Sequence, residues 1–492
     1  MELRIENIAV DRSFVMIELN GYTPAPAELT VYMPVYGASD APVLHKSVVT
    51  SGSKQIDLPR VQNGRDLLYG RFEMVMNGET IPGKMYVEDI LDAARTYPYP
   101  PADTKKGCQI SDAEDAKILG VKHSALNVNE GDFLLPEPEE GNTIEYVFNG
   151  KTYCFNKRQV EKQDARIRNL SDIGVIITLI LLNSPHWEQK IKPEFWQVIR
   201  HPDYTDDDSE ALISAFNLRT PEGVDYYSAF IAFLTDRYTR EDGRYGKAYG
   251  MIVGNEVNSG YVWCNAGLQN VTDYSTEYAS AVRLTWQTAA SIYANMRVYL
   301  SFDHFWTDSN FGGNAPLKYY GTKPVLEVLN TVLSSEGQVP WNIAFHPYPQ
   351  DLNFPDFWND TDATPDDDAK IITFKNLEVL ARFTYEPAYL YRGARRRIIL
   401  SEQGFNSHWT PESEVLQACA YGRAYRKVMS IPEIDSFILH AHRDNWHEFG
   451  LNLGLWRRKK DCGEMDAPKP MYYVFKAIDK KDEKGVYHWE RY

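Results

Sequence analysis

Two periodicities divide the chain. Over the first ~90 residues apolar and polar positions alternate, as a strand with one buried face requires. Ser13–Leu19, Leu29–Tyr36 and Leu67–Met76 carry this pattern, and Asn20-Gly21, Asn63-Gly64 and Asn77-Gly78 supply turns beside them. Short strands at this spacing predict a small β-sandwich-like domain. The proline-rich Tyr97–Pro101 is a stiff link, so the expected domains are 1–95 and 96–492.

From Lys106 onward short apolar runs alternate with helical stretches. The strand candidates are Gly107–Ile110, Val121–Asn127, Val175–Leu182, Gly250–Gly254, Val298–Phe302, Ile343–Phe345, Ile398–Ser401 and Ser436–His440. Between them, Asp112–Leu119, Arg158–Leu170, Asp225–Tyr238, Glu277–Asn295, Val325–Leu333, Lys370–Phe383 and Glu412–Val428 read as helices, and Met471–Ile478 closes the series. In the longest of these, Tyr278, Val282, Trp286 and Ala289 share one face. The acidic run Asp366–Asp368 suits the start of the helix at Lys370. This alternation predicts an α/β protein, a (β/α)8 barrel, whose core strands are apolar runs, as parallel strands buried on both faces are. Tyr146–Phe155, centred on Asn149-Gly150, reads as a hairpin inserted after the second strand. Long loops follow several strands, notably Asn183–Pro221, Asp303–Lys323, Pro347–Ala369 and Ala441–Pro468. Loops on that face are where barrel sites are built.

The candidate chemistry lies at the strand ends. The fourth strand runs into Asn255-Glu256 and the seventh into Glu402. A carboxylate at such a mouth is costly unless paired or used. Two that face each other separate in pKa, giving one acid and one base. Glycosidic bond cleavage needs that combination. The ordinary alternative is a helix cap at Glu256 and an ion pair at Glu402. Around the same mouth, Asn127 ends the second strand and Asn183 the third, with Trp187 beyond it. Trp306 follows the fifth strand, His346 and Tyr348 the sixth, and His440 and Trp446 the eighth. Each is a candidate for substrate contact, and each also has a bland reading as turn or packing residue.

Over residues 106–480, as a pattern of strand ends, the chain resembles the clan A retaining glycoside hydrolases. The resemblance rests on Asn255-Glu256 after the fourth strand and Glu402 after the seventh. It implies that Glu256 is the acid/base, Glu402 the nucleophile and Asn255 a partner of the sugar 2-hydroxyl. It further implies that His346 or Tyr348 steers the nucleophile and that Trp446 forms a floor beneath the sugar. Many members carry an arginine near the end of strand two. This chain offers Val121-Lys-His123-Ser-Ala-Leu-Asn127, where His123 or Asn127 stands in its place.

Composition narrows the partners. Asp plus Glu number 68 against 52 Lys plus Arg, a net charge of −16. That disfavours nucleic acid and anionic membranes, which need basic surface. No stretch approaches the ~20 apolar residues of a membrane span. The N-terminus lacks a basic segment followed by an apolar one, so the expectation is a cytoplasmic protein, or a secreted or periplasmic one whose leader has been removed. The five cysteines are scattered without a CxxC pair, which predicts free, mostly buried thiols. Aromatic residues reach 13%, including 32 Tyr and 11 Trp, enough for both a large core and a sugar-binding cleft.

The expected activity is hydrolysis of an oligo- or polysaccharide by a retaining mechanism. No metal or organic cofactor is expected, the partner is a carbohydrate substrate, and a homo-oligomer is left open. Two other classes compete. One is a metal-dependent barrel hydrolase using His346, His440, His442 and Asp444. Against it, the first strand lacks the usual His-x-His. The other is a non-catalytic carbohydrate-binding barrel, which has no reason to keep both carboxylates.

Overall fold

The structure, a computed structural model, describes residues 3–21, 26–33, 42–48, 54–185, 191–205, 208–445, 447–459 and 464–479. Eight parallel strands close into a barrel. They are β1 (Lys106–Cys108), β2 (His123–Asn129), β3 (Ile176–Leu182), β4 (Gly250–Val253), β5 (Arg297–Phe302), β6 (Trp341–Phe345), β7 (Ile398–Leu400) and β8 (Ile434–Leu439). Closure pairs Lys106, Gly107 and Cys108 of β1 with Phe437, Ile438 and Leu439 of β8. All eight match the strands expected from the apolar runs. Alternate side chains turn inward, and Ala125, Ile180, Ile252, Tyr299, Ala344, Ile399 and Ile438 fill the interior.

The helices pack their apolar faces on the outside of this ring. Val271–Ile292 is the longest, started by the Asn270 side chain accepting from the Asp273 N–H. Its Tyr278, Val282, Trp286 and Ala289 are buried as expected. The expected helix Lys370–Phe383 is the exception, because only Glu378–Phe383 is helical. Ile371, Ile372 and Phe374 are buried from an irregular segment instead, with the Ile372 N–H donating to the His304 carbonyl. Asp366–Asp368 therefore caps nothing. Asp367 pairs with Arg382 and Asp368 with Lys323. The hairpin is present as Thr143–Phe148 and Lys151–Asn156. Its turn places Asn149 and Gly150 in the left-handed region at φ 47° and 75°, as a two-residue turn of this type requires.

The N-terminal segment forms two four-stranded sheets. One orders Asp89–Ile90, Arg4–Val10, Phe14–Asn20 and Gln55–Pro59, and the other Leu44–Val48, Ala27–Tyr32, Arg71–Met76 and Glu79–Thr80. Alternation works as expected, with Val15, Ile17 and Leu19 buried along one strand. The apolar residues of these sheets merge with the barrel's core. Polar contacts lock the junction. The Met85 and Tyr86 N–H groups both donate to the Glu336 carbonyl, at 2.7 and 3.0 Å. The Arg283 guanidinium lies 3.8 Å from the Tyr86 ring centroid.

Four cysteines, Cys108, Cys154, Cys264 and Cys419, are free and buried, and Cys462 lies outside the described residues. Among the described residues no helix is long and apolar enough to cross a membrane.

Candidate active site

A cleft of about 1310 Å3 opens at the carboxyl ends of the strands. Glu256 follows β4 in a left-handed conformation, φ 39° and ψ 53°. Such a backbone costs of order 1–3 kcal/mol for a residue with a side chain. The Glu256 N–H donates to Ser301 Oγ on β5 at 2.9 Å, which helps hold it there. Glu402 follows β7. Gly404, two residues on, passes so close to the His440 carbonyl that a Cβ would overlap it.

The two carboxylates meet. Oxygens of Glu256 and Glu402 lie within 4.8 Å of each other and of a His346 ring nitrogen. His346 Nδ1 is 2.8 Å from Glu256 Oε1, and its Nε2 is 3.0 Å from Ser401 Oγ. The Tyr348 hydroxyl donates to Glu402 Oε1 at 3.2 Å. At the β6 end, then, Tyr348 bonds the carboxylate that follows β7, while His346 bonds the one that follows β4.

Burial pushes the Glu256 pKa up to about 7. The hydrogen bond and charge of His346 pull it down, and the charges of Asp303 and Glu402 push it further up. For His346 burial alone would lower the pKa, but the bond to Glu256 and the charge of Glu402 outweigh it, and the net direction is up.

A second arm reaches Glu402 from β8 and β1. Gln109 Nε2 donates to the Ser401 carbonyl at 3.3 Å and approaches Glu402 Oε2 at 3.4 Å. His440 Nδ1 lies 2.6 Å from Gln109 Oε1. Its Nε2 is 3.2 Å from Glu448 Oε2, close enough for an ion pair but not aligned for a hydrogen bond. Burial opposes charge on His440, yet Glu402 and Glu448 together raise its pKa to about 9. The two carboxylates thus favour the protonated form of His440. Its partners Gln109 and Glu448 carry no sequence signal of their own. They meet only because the barrel closes β8 onto β1.

The other expected residues divide. Asn255, Asn127, Tyr348 and His440 line the cleft, and His346 is buried just behind it. Asn183 does not face it: fully buried, its amide donates to the Ile199 carbonyl at 2.8 Å. Trp306 is also a correction. It is 1% exposed, donates from Nε1 to the Asp367 carbonyl and packs edge-on against Phe383. His123 sits at the opposite end of β2, bonded to the Thr104 carbonyl, and cannot replace an arginine at the mouth. Trp187 and Trp446 lie outside the described residues. Aromatic lining comes instead from Trp196, Tyr204, Trp263, Phe305 and Phe449.

The four residues of the metal reading do not converge. His442 bonds Asp115 at 2.7 Å, and Asp444 pairs with buried Lys469 at 2.7 Å. Glu256, His346 and Glu402 are the group near enough to share an ion among the described residues. Both His346 nitrogens already have partners, so a metal there would have to displace one of them.

A family model described as "Family of unknown function (DUF5722)" matches residues 98–489. No curated protein matches the chain in sequence. Among solved structures it is similar to a family 39 glycoside hydrolase from Bacteroides cellulosilyticus WH2, at 14% identity and a TM-score of 0.48, over 98% of this chain and 83% of that one. It is also similar to a β-glucosidase from Pyrococcus furiosus, at 15% identity and a TM-score of 0.49, over 77% of this chain and 85% of that one. A family 1 β-glucosidase from Thermotoga maritima gives 11% identity and 0.45, over 74% and 84%.

Proposed function

The chain belongs to DUF5722, a family of unknown function, and we propose that its barrel hydrolyses a glycosidic bond with retention of configuration. One observation carries this reading: Glu256 and Glu402 approach within 4.8 Å while burial holds Glu256 near pKa 7. Retaining enzymes keep their two carboxyl groups about 5–5.5 Å apart, whereas inverting ones leave room for a water between them.

In this mechanism Glu402 attacks the anomeric carbon as the bond to the leaving oxygen breaks. Glu256, protonated, gives its proton to that oxygen. A glycosyl ester on Glu402 results. Glu256, now a base, takes a proton from water, whose oxygen displaces Glu402. The charge of Glu402 raises the Glu256 pKa before attack and is lost once the ester forms, so the same residue acts as acid and then base. Tyr348 and the His440–Gln109 arm hold Glu402 in place for attack. Asn255 lies beside Glu256 to bond the 2-hydroxyl of the sugar.

The test uses Glu402→Ala, Glu256→Gln and a 2-deoxy-2-fluoro glycoside that stalls the ester. Both variants should stay folded and lose turnover by a factor of at least about 10³. Mass spectrometry should find the fluorosugar on Glu402. Near-normal rates in either variant, or a label on another residue, would sink the assignment.

A further inference from the structure

The cleft has two unlike walls. The loops after β8 and β1 present Gln109, His440, Asn445 and Glu448, and strand β2 presents Asn127. The wall beside Glu256, from the loops after β3, β4 and β5, presents Trp196, Leu212, Ile213, Trp263 and Phe305. Leu212 and Ile213 are fixed there because their N–H groups both donate to the Val262 carbonyl, at 3.0 and 3.1 Å. Phe449 reaches over from the β8 loop and meets Trp263 edge-on, with ring centroids 6.2 Å apart.

Among the described residues, several polar groups on this second side are already engaged. The Tyr204 hydroxyl donates to the Ala211 carbonyl at 2.8 Å, and Ser259 Oγ to Asp303 at 2.5 Å. Asp208 accepts from the Tyr261 hydroxyl and the Glu210 N–H. On the loop after β6, Gln350 likewise exchanges two hydrogen bonds with Asp362. A sugar bound against these engaged groups would bury hydroxyls without new partners, and unsatisfied buried hydroxyls are costly. Meanwhile Leu212 is 38% exposed and Phe449 78% exposed, apolar surface that an apolar group would cover favourably.

Under the proposed chemistry the leaving oxygen must sit at Glu256, so whatever it carries lies along that wall. We infer that the substrate is a glycoside with an apolar aglycone, an alkyl or aryl group, and that the polar wall across the cleft holds the sugar. This rests on the glycosidase reading for its direction, while the apolar subsite itself rests on Leu212, Ile213, Trp263 and Phe449.

Calorimetry with the Glu256→Gln protein tests it without turnover. Methyl and octyl β-glycosides of glucose, galactose, mannose and xylose are compared below the micelle concentration. For the best-bound sugar the octyl glycoside should bind at least about tenfold tighter than the methyl one. Leu212→Asn, placed in the same background, should remove most of that gain. Equal binding of methyl and octyl glycosides for every sugar overturns the inference, and so does a gain that survives both Leu212→Asn and Trp263→Ala. Fluoride release by the unmodified protein from the matching glycosyl fluorides, which have no aglycone, scores the hydrolase reading separately. An octyl gain without any fluoride release would retire the hydrolase and leave the apolar subsite standing.

Discussion

His346 hydrogen-bonds Glu256 at 2.8 Å and makes no such bond to Glu402, although both carboxylates lie within its reach. With Nε2 turned to Ser401, the imidazole is fixed at both ends. It orients the carboxyl on β4 and sets how tightly that carboxyl holds its proton.

His346→Leu should therefore do more than slow the reaction. The loss in kcat/KM is expected to be about 100-fold, the scale of a catalytic group misplaced by about 1 Å. His346 lowers the Glu256 pKa, so removing it leaves burial and the neighbouring charges to raise that pKa further. The alkaline limb of the pH profile should move to higher pH. A slower enzyme with an unmoved limb would make His346 a packing residue only.

The unmodified enzyme should lose kcat/KM with a midpoint near pH 7, as Glu256 gives up the proton it must donate. Leaving groups that need no proton should escape this. A 2,4-dinitrophenyl glycoside is expected to show little or no alkaline limb, whereas an alkyl glycoside of the same sugar shows it fully. Identical limbs for both substrates would detach Glu256 from the acid role.

Stability should also fall with rising pH. His440 has a folded pKa near 9 against about 6.5 in an unfolded chain. Its contribution, of order 3 kcal/mol, is fully present below pH 6.5 and is lost as pH rises through 9. Glu256 acts with the same sign, its share being lost as pH rises through 7. Urea midpoints should drop between pH 6.5 and 9.5. Glu448→Gln removes one of the charges that hold the His440 proton and should shrink the drop. An unchanged drop in that variant would show that the pair does not act this way.

Much of the frame was legible in the sequence because barrel strands announce themselves. Val175–Leu182 and Val298–Phe302 are almost wholly apolar, broken only by Thr178 and Ser301, as doubly buried strands are. Glu256 and Glu402 stood out against such runs. Trp306 misled because a side chain just past a strand end can turn outward as well as in. Its indole found the Asp367 carbonyl and the Phe383 ring. Lys370–Phe383 misled because its apolar spacing fits a helix, while the chain uses the same residues to plug the loop after β5. Gln109, Trp263 and Glu448 were missed for a different reason. Gln109 matters through His440, far away in sequence, while Trp263 and Glu448 sit in the connections after β4 and β8, whose spacing carries no periodic signal.

The junction at Glu336 has a consequence for dissecting the molecule. One backbone carbonyl receives both Met85 and Tyr86 while the Glu336 side chain pairs with Arg283, and the greasy interior runs uninterrupted from sheets to barrel. Cutting the chain at residue 95 would strip a hydrophobic seam bare on both fragments. The two halves are better regarded as a scaffold with its keel than as separable modules: heat should melt them together, and a truncated barrel should aggregate before its activity can be assayed.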